Sequence, residues 1–326
     1  MIKNLAFGDT LLPQEFTIGL TEPQSEVSVW LHGMGMPRDV TARHTTACTA
    51  PLTICVASDD WQGLDEKDLR KVSLKFCERG GYERVLGEIR LNFNTVISIG
   101  DLSFILFGVR GSTNYCLPKA RLWAHYLLHA YSQLRRTDPP DMKMTLLEQR
   151  AASVTFIRPH PLSLVSVGDK KNGNIFPMNL MGELGNGYFG FALRERRLAA
   201  PLVESGGRIA ISGVPLAQCS LPFRLAGNHK KQSIDWNELP FETKPSVTFG
   251  IPVPSFATRV REMRIEKVHK IGGHRFFIAR IISDETYMTG PRACVVHGFY
   301  QFWRLRGDRA TLRASVVEDS MNKRGH

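Results

Sequence analysis

No stretch of the 326-residue chain approaches the roughly 20 consecutive apolar residues that cross a bilayer as a helix. The opening residues, Met1 to Asp9, carry no apolar signal core before polar and acidic residues arrive. A cytoplasmic protein with no membrane partner is the expectation. Cysteine is sparse: Cys48, Cys55, Cys77, Cys116, Cys219 and Cys294 are scattered, with no CxxC and no repeated spacing. That scatter reads as reduced, mostly buried thiols and argues against a structural zinc site. Also missing are a Gly-x-Ser-x-Gly elbow and a P-loop, so nothing points to a side-chain nucleophile. There is no RNP-like or helix-turn-helix pattern and no continuous basic arm, which makes nucleic acid a disfavoured partner.

What the chain has in quantity is hydrophobic residues, 43%, and positive charge, a net +11. The first supports ordered cores. The second admits a polyanion, or a phosphorylated small molecule held in one positive pocket. Length favours two domains, and the acidic, proline-containing break Thr137–Asp141 divides an N-terminal 1–137 from a C-terminal 142–326. The composition of the segments predicts a mainly β chain with some α. Residues 1–26 read as a lead-in. Strands are expected at Val27–Leu31, Leu52–Ala57, Arg84–Leu91, Thr95–Ile99 and Ser103–Val109, and helices at Asp65–Glu78 and Pro118–Arg136. His125 and His129 stand one turn apart on the second helix. With no further ligand beside them they are expected to pack rather than bind metal, and no metal site is predicted. Past the break, a helix at Leu146–Ala152 and strands at Ser153–Ile157, Leu162–Val167, Tyr188–Leu193, Arg208–Ser212, Ala257–Val268, His274–Ile282 and Phe299–Leu305 suggest a barrel rather than a parallel sheet. The polar run from Asn228 to Pro240 is long enough for a lid or a dimer-crossing loop.

The segment from Gly173 to Arg197 is the candidate site. It sets Asn174 and Asn179 around a proline, passes through Gly-Asn-Gly, and climbs an apolar strand that surfaces at Arg194, Arg196 and Arg197. Amide side chains, turn N–H groups and guanidinium forks are what a phosphate needs around it.

From about Thr145 to Gly307 the order LSLVSV, NIFPMNLMG, FGFAL–RERR, PLVESGGRIAISGVP, DWNELPF, GGHRFFIARI and VHGFYQFWRL resembles the flavin reductase-like family, the FMN-binding split barrels. The resemblance implies FMN at the rim of a six-stranded antiparallel barrel, usually at a homodimer interface, with NAD(P)H passing hydride to the flavin. It implies that Asn174, Met178 and Asn179 line the flavin and that Arg194, Arg196 and Arg197 hold its phosphate. It further implies that Ser212 faces the ring and that His274 lies near the nicotinamide. Two positions depart from the family: a Ser or Thr around the following helix is Ala199, and the Gly-Asp-His motif is Gly272-Gly273-His274. The missing acidic residue leaves open a non-catalytic FMN-binding protein of the same fold. In the first half, SVWLHG, LTICVASDD, LGEIRL and GDLSFILFGVRG echo the second half's order. A degenerate second barrel without a cradle is favoured over an unrelated α+β cap.

Overall fold

Two β-hairpins with very long arms frame the molecule, one in each half of the chain. The computed structural model describes residues 12, 15–59, 71–79, 84–134, 144–306 and 316–319. The break at Thr137–Asp141 and residues 65–70 of the expected first helix lie outside them. In chain order come β1 (Phe16–Leu20), β2 (Val27–His32), β3 (Arg38–Asp39), β4 (His44–Thr49), β5 (Leu52–Ser58), β6 (Ser73–Glu78), β7 (Val85–Ile99) and β8 (Leu102–Asn114). Helices α1 (Lys119–Leu134) and α2 (Leu146–Thr155) follow, then β9 (His160–Pro161), β10 (Ser163–Val167), β11 (Asn174–Met178), β12 (Met181–Gly185) and β13 (Tyr188–Arg194). After α3 (Ala199–Gly206) the chain forms β14 (Arg208–Gly213), β15 (Thr243–Pro245), β16 (Pro252–Pro254), β17 (Arg259–Ile271), β18 (His274–Thr286), β19 (Arg292–Val296), α4 (Gly298–Arg304) and β20 (Val316–Asp319).

The first half forms a seven-stranded sheet in the order β3-β2-β6-β7-β8-β5-β4, and the second a seven-stranded sheet in the order β11-β10-β14-β17-β18-β13-β12. Counted within each half, the two orders are the same, and every neighbouring pair is antiparallel. The first half is thus a second copy of the same seven-stranded plan. Each sheet is split: in the second, the edge strands β11 and β12 are separated only by Asn179 and Leu180 and form no ladder. They nevertheless share one interior, where Phe176, Met178 and Met181 meet Val165, Phe191, Ile211, Met263 and Phe277.

Strand alternation explains how the halves join. On β5, Ile54 and Val56 face the first interior while Cys55 and Ala57 face out; on β18, Phe277 and Ala279 face the second interior while Phe276 and Ile278 face out. The outward sets meet in one apolar layer with Ala47, Phe104, Leu106, Leu184 and Ala192. Each large side chain buried this way is worth ~1.5–3 kcal/mol, so the layer fixes the second sheet against the first. Gly182 and Gly272 allow the approach. A Cβ on Gly182 would lie 2.9 Å from the His44 carbonyl oxygen, and one on Gly272, whose φ is +51°, 2.5 Å from Pro51 Cδ.

Several sequence expectations are corrected. Ser73–Glu78 is a strand: its alternate residues Leu74 and Phe76 face the first interior. Ser153–Thr155 continues α2, whose start is set by a capping box between Thr145 and Glu148. Phe299–Leu305 is not a closing strand: Gly298–Arg304 forms α4, which packs Phe299, Tyr300 and Trp303 into the first half's core. The lead-in holds a strand, since Phe16–Leu20 pairs with β19. The second sheet has seven strands rather than the six that the resemblance implies, with the short strands β11 and β12 as its two edges. His125 packs on Phe299 at 5.3 Å between ring centroids, and no metal-binding cluster occurs among the described residues. Among them, too, no helix is long and apolar enough to cross a membrane.

Candidate functional site

An edge strand exposes alternate backbone groups, and β11 is an edge strand. Its outward carbonyls are met by side chains of the turn Ala226–Lys230: Asn228 Nδ2 donates to Ile175 O at 2.9 Å, and His229 Nε2 donates to Pro177 O at 2.8 Å. Asn174 returns the favour, its Nδ2 donating to Asn228 O at 2.9 Å and Lys231 O at 2.7 Å. The polar run read as a lid or dimer crossing is therefore fastened, at this end, to its own barrel.

Arg194 ends β13 and Arg197 lies in the turn before α3. Their charges converge on His229, whose pKa is lowered first by burial and then by Arg197 and Arg194, against the pull of the Pro177 carbonyl. His229 also lies against Phe176, 4.8 Å between centroids. Arg194, Arg197 and the exposed Lys230 and Lys231 thus make a positive rim around His229, beside Pro177, Met178 and Asn179. Glu195, between the arginines, turns away to Lys270 at 2.8 Å and Arg275 at 3.6 Å. Arg196 is exposed on the same turn.

The remaining expected residues are placed differently. Asn174 is fully buried, both its N–H bonds serve the turn, and its Oδ1 has no hydrogen-bond partner among the described residues; its amide is a clip rather than a free donor. Met178 points into the barrel interior, while Asn179 is half-buried at the split. Ser212 is not brought to the rim. It lies on the opposite face of β14 from Ile211, the face where Ala210 packs against Ile251, Val253 and Ala257. Glu262 holds the segment over that face, accepting from Ser246 Oγ at 2.6 Å, Thr248 N at 2.7 Å and Phe249 N at 2.6 Å. His274 is 1% exposed, and its Nδ1 lies 3.3 Å from Cys48 Sγ of the first half. Burial, then the charge of Arg194, drives its pKa down to about 4, so the ring is neutral at neutral pH.

Asn228 and His229 were missed as site residues in the sequence. The one signal was a histidine beside two lysines in a polar run, and only the fold puts that run against β11. Replacing Asn174 with alanine is expected to cost about 1–3 kcal/mol, because two hydrogen bonds to the turn are lost, each worth roughly 0.5–1.5 kcal/mol. Urea denaturation should register the loss, and faster amide exchange should be confined to residues 226–231.

The counterpart of the rim in the first half is different. Both long hairpins turn through two residues, so Leu102 corresponds to His274 and, one step beyond the pair Ser58 and Ser103, Asp59 corresponds to Arg194. Asp59 accepts from Arg43 at 2.5 Å and from Asn186 at 2.9 Å. A carboxylate at the arginine's position cannot hold a phosphate.

No family model matches the sequence, and no curated protein matches it. Among solved structures, the chain is similar to an FMN-binding protein from Thermus thermophilus at 23% identity and a TM-score of 0.35, over 39% of this chain and 71% of that one. It is similar to an NADH:FAD oxidoreductase of Streptomyces globisporus at 14% identity and a TM-score of 0.41, over 49% of this chain and 95% of that one. A third is the styrene monooxygenase flavin reductase of Pseudomonas putida, at 17% identity and a TM-score of 0.36, over 45% of this chain and 91% of that one.

Proposed function

We propose that the chain binds one flavin mononucleotide at the rim of its second barrel and passes hydride to it from NAD(P)H. The observation that carries this reading is the convergence of Arg194 and Arg197 on the His229 turn beside Pro177–Asn179. Charge and chemistry at this rim fit a phosphate: two guanidiniums close to a neutral imidazole, with the intervening carboxylate of Glu195 turned elsewhere. Arg194 and Arg197 would hold the phosphate, Arg196 would add to the local field, and Asn174 would keep the turn in place. Bound flavin supplies the hydride chemistry; the protein's part is to orient it and exclude water.

In this reading the chain's own first half covers the face of the second sheet where the family resemblance implies a second copy. Its β4 and β5 lie against the second sheet through the shared apolar layer, and Asp59 leaves the first half without a cradle. The expected stoichiometry is one FMN per chain. Titration of the purified protein with FMN, followed by flavin fluorescence quenching, checks it. An equivalence point at two flavins per chain would contradict the Asp59 argument, and no quenching at all would sink the flavin reading.

His274 favours a second reading, an FMN-binding protein without reductase turnover. Buried against Cys48, it is in no position to meet a nicotinamide. Steady-state NADH and NADPH oxidation with excess FMN separates the two.

A further inference from the structure

At the other end of β13 a cavity of about 90 Å³ opens beside Phe189, five residues from Arg194, or roughly 17 Å along a strand. One wall is apolar, with Met181, Phe189 and Ile211. The other carries Arg158, Arg259, Arg261 and Arg292 against two carboxylates, Glu22 and Glu183. Three of these arginines are answered. Arg259 is clamped by Asp284; Arg261 reaches Glu183 at 2.5 Å and Asp284 at 3.1 Å; Arg292 reaches Glu22 at 3.0 Å.

Arg158 is different. It is 3% exposed, and its Nε has no hydrogen-bond partner among the described residues. Glu183 acts on it through space, but burial dominates and lowers its pKa to about 10, which still leaves it charged. A buried guanidinium N–H with nothing to donate to costs free energy that a ligand's acceptor would recover. With Asp284 counted behind Arg259 and Arg261, the cavity is left with an excess of one positive charge.

We propose that this cavity is a binding site for a small organic carboxylate with an apolar, ring-sized body, its carboxylate on Arg158 and its body against Phe189, Met181 and Ile211. One excess charge matches a monoanion better than a phosphate dianion. The apolar wall gives inorganic anions nothing to replace their hydration. The volume has room for roughly six to nine water-sized groups, about the size of benzoate. Arg261, over the Phe189 ring at 5.6 Å from its centroid, stiffens the wall that the body would contact.

The test is thermal unfolding of the full chain at neutral pH and fixed ionic strength, with benzoate titrated and inorganic phosphate as the comparison. Benzoate is expected to raise the melting temperature saturably, by several degrees, while phosphate gives little. Arg158→Met should lose the benzoate response and, without ligand, melt no lower than the wild type, since the buried charge with its unsatisfied Nε is gone. If Arg158→Met does not fold, Ile211→Phe keeps the cation but narrows the cavity, and it too should lose the response. A flat benzoate response in the wild type, an equal response to phosphate, or an undiminished response in the variant that folds would overturn the proposal. FMN affinity is read in the same samples and should not change with Arg158→Met, so the two sites succeed or fail separately.

Discussion

The Arg194→Ala/Arg197→Ala double variant is expected to bind FMN about a hundred- to a thousandfold more weakly than the wild type, with riboflavin affinity unchanged. A hydrogen bond to a charged group is worth ~1.5–3 kcal/mol, and ~1.4 kcal/mol is a factor of ten in affinity. Two arginines at full strength would give more. Arg194 is exposed, however, and Arg197 only half-buried, so solvent and salt screen both and the lower part of the range applies. Riboflavin lacks the phosphate and isolates its contribution. Fluorescence titration of both ligands against both proteins measures the effect. Equal losses for FMN and riboflavin would mean that the arginines shape the ring site or the fold instead. Fold damage is not expected, because the interior beneath the rim is built from Phe191, Leu193, Ala199, Ala200 and Val203, which the substitutions leave in place.

Much of the second half could be read from residues alone, for a physical reason. Its strands alternate cleanly, as in the run Phe189–Leu193, and both faces of that run find an apolar partner, the interior on one side and the first half on the other. The failures came where the deciding partner is remote in the sequence. Phe299–Leu305 is rich in aromatics, which favour strands, yet it forms a helix because one stripe fits the first half's core. No local pattern records that core. Ser73–Glu78 was swept into a helix because Leu69, Val72 and Phe76 also satisfy helical spacing. Pairing with β2 and β7 decides in favour of the strand.

The geometry of the candidate site was legible at its charged end and illegible at its amide end. Three arginines surfacing from an apolar strand announce themselves. Whether an asparagine serves a ligand or a backbone carbonyl depends on a turn 54 residues away, and no spacing rule reaches so far. The same limit hid His229, which the sequence places in an unremarkable polar run. Asp59 could be seen only as part of the Ser58-Asp59-Asp60 punctuation after a strand. Its meaning appears when the two hairpins are counted from their turns and it falls on the arginine's position.

Glu26→Ala is expected to destabilise the protein by about 3–5 kcal/mol, the cost of leaving a buried charge without its partner. Arg304 is 0% exposed, and its guanidinium is gripped by Glu26 through Nε at 2.9 Å and Nη2 at 2.7 Å; Gln301 Oε1 accepts from Nη1 at 2.9 Å. Tyr300 donates to the same carboxylate at 2.8 Å, its hydroxyl held protonated by burial and by the charge of Glu26. This knot ties α4, which follows the second barrel, to the segment that enters β2 of the first. Its loss therefore attacks the joint between the halves as well as a single contact. Removing both charges discriminates between the two effects. Glu26→Met/Arg304→Met should recover most of the stability, because a buried ion pair is often replaceable by apolar groups of similar size, while Tyr300 loses its acceptor and keeps the recovery about 1 kcal/mol short. Urea denaturation of the three proteins measures both steps. A Glu26→Ala loss below about 1 kcal/mol would show that the apolar contacts of Phe299, Tyr300 and Trp303 hold α4 without the ion pair. In that case α4 would be held by apolar contacts alone, as in the layer formed by Phe104, Phe276 and Ile278.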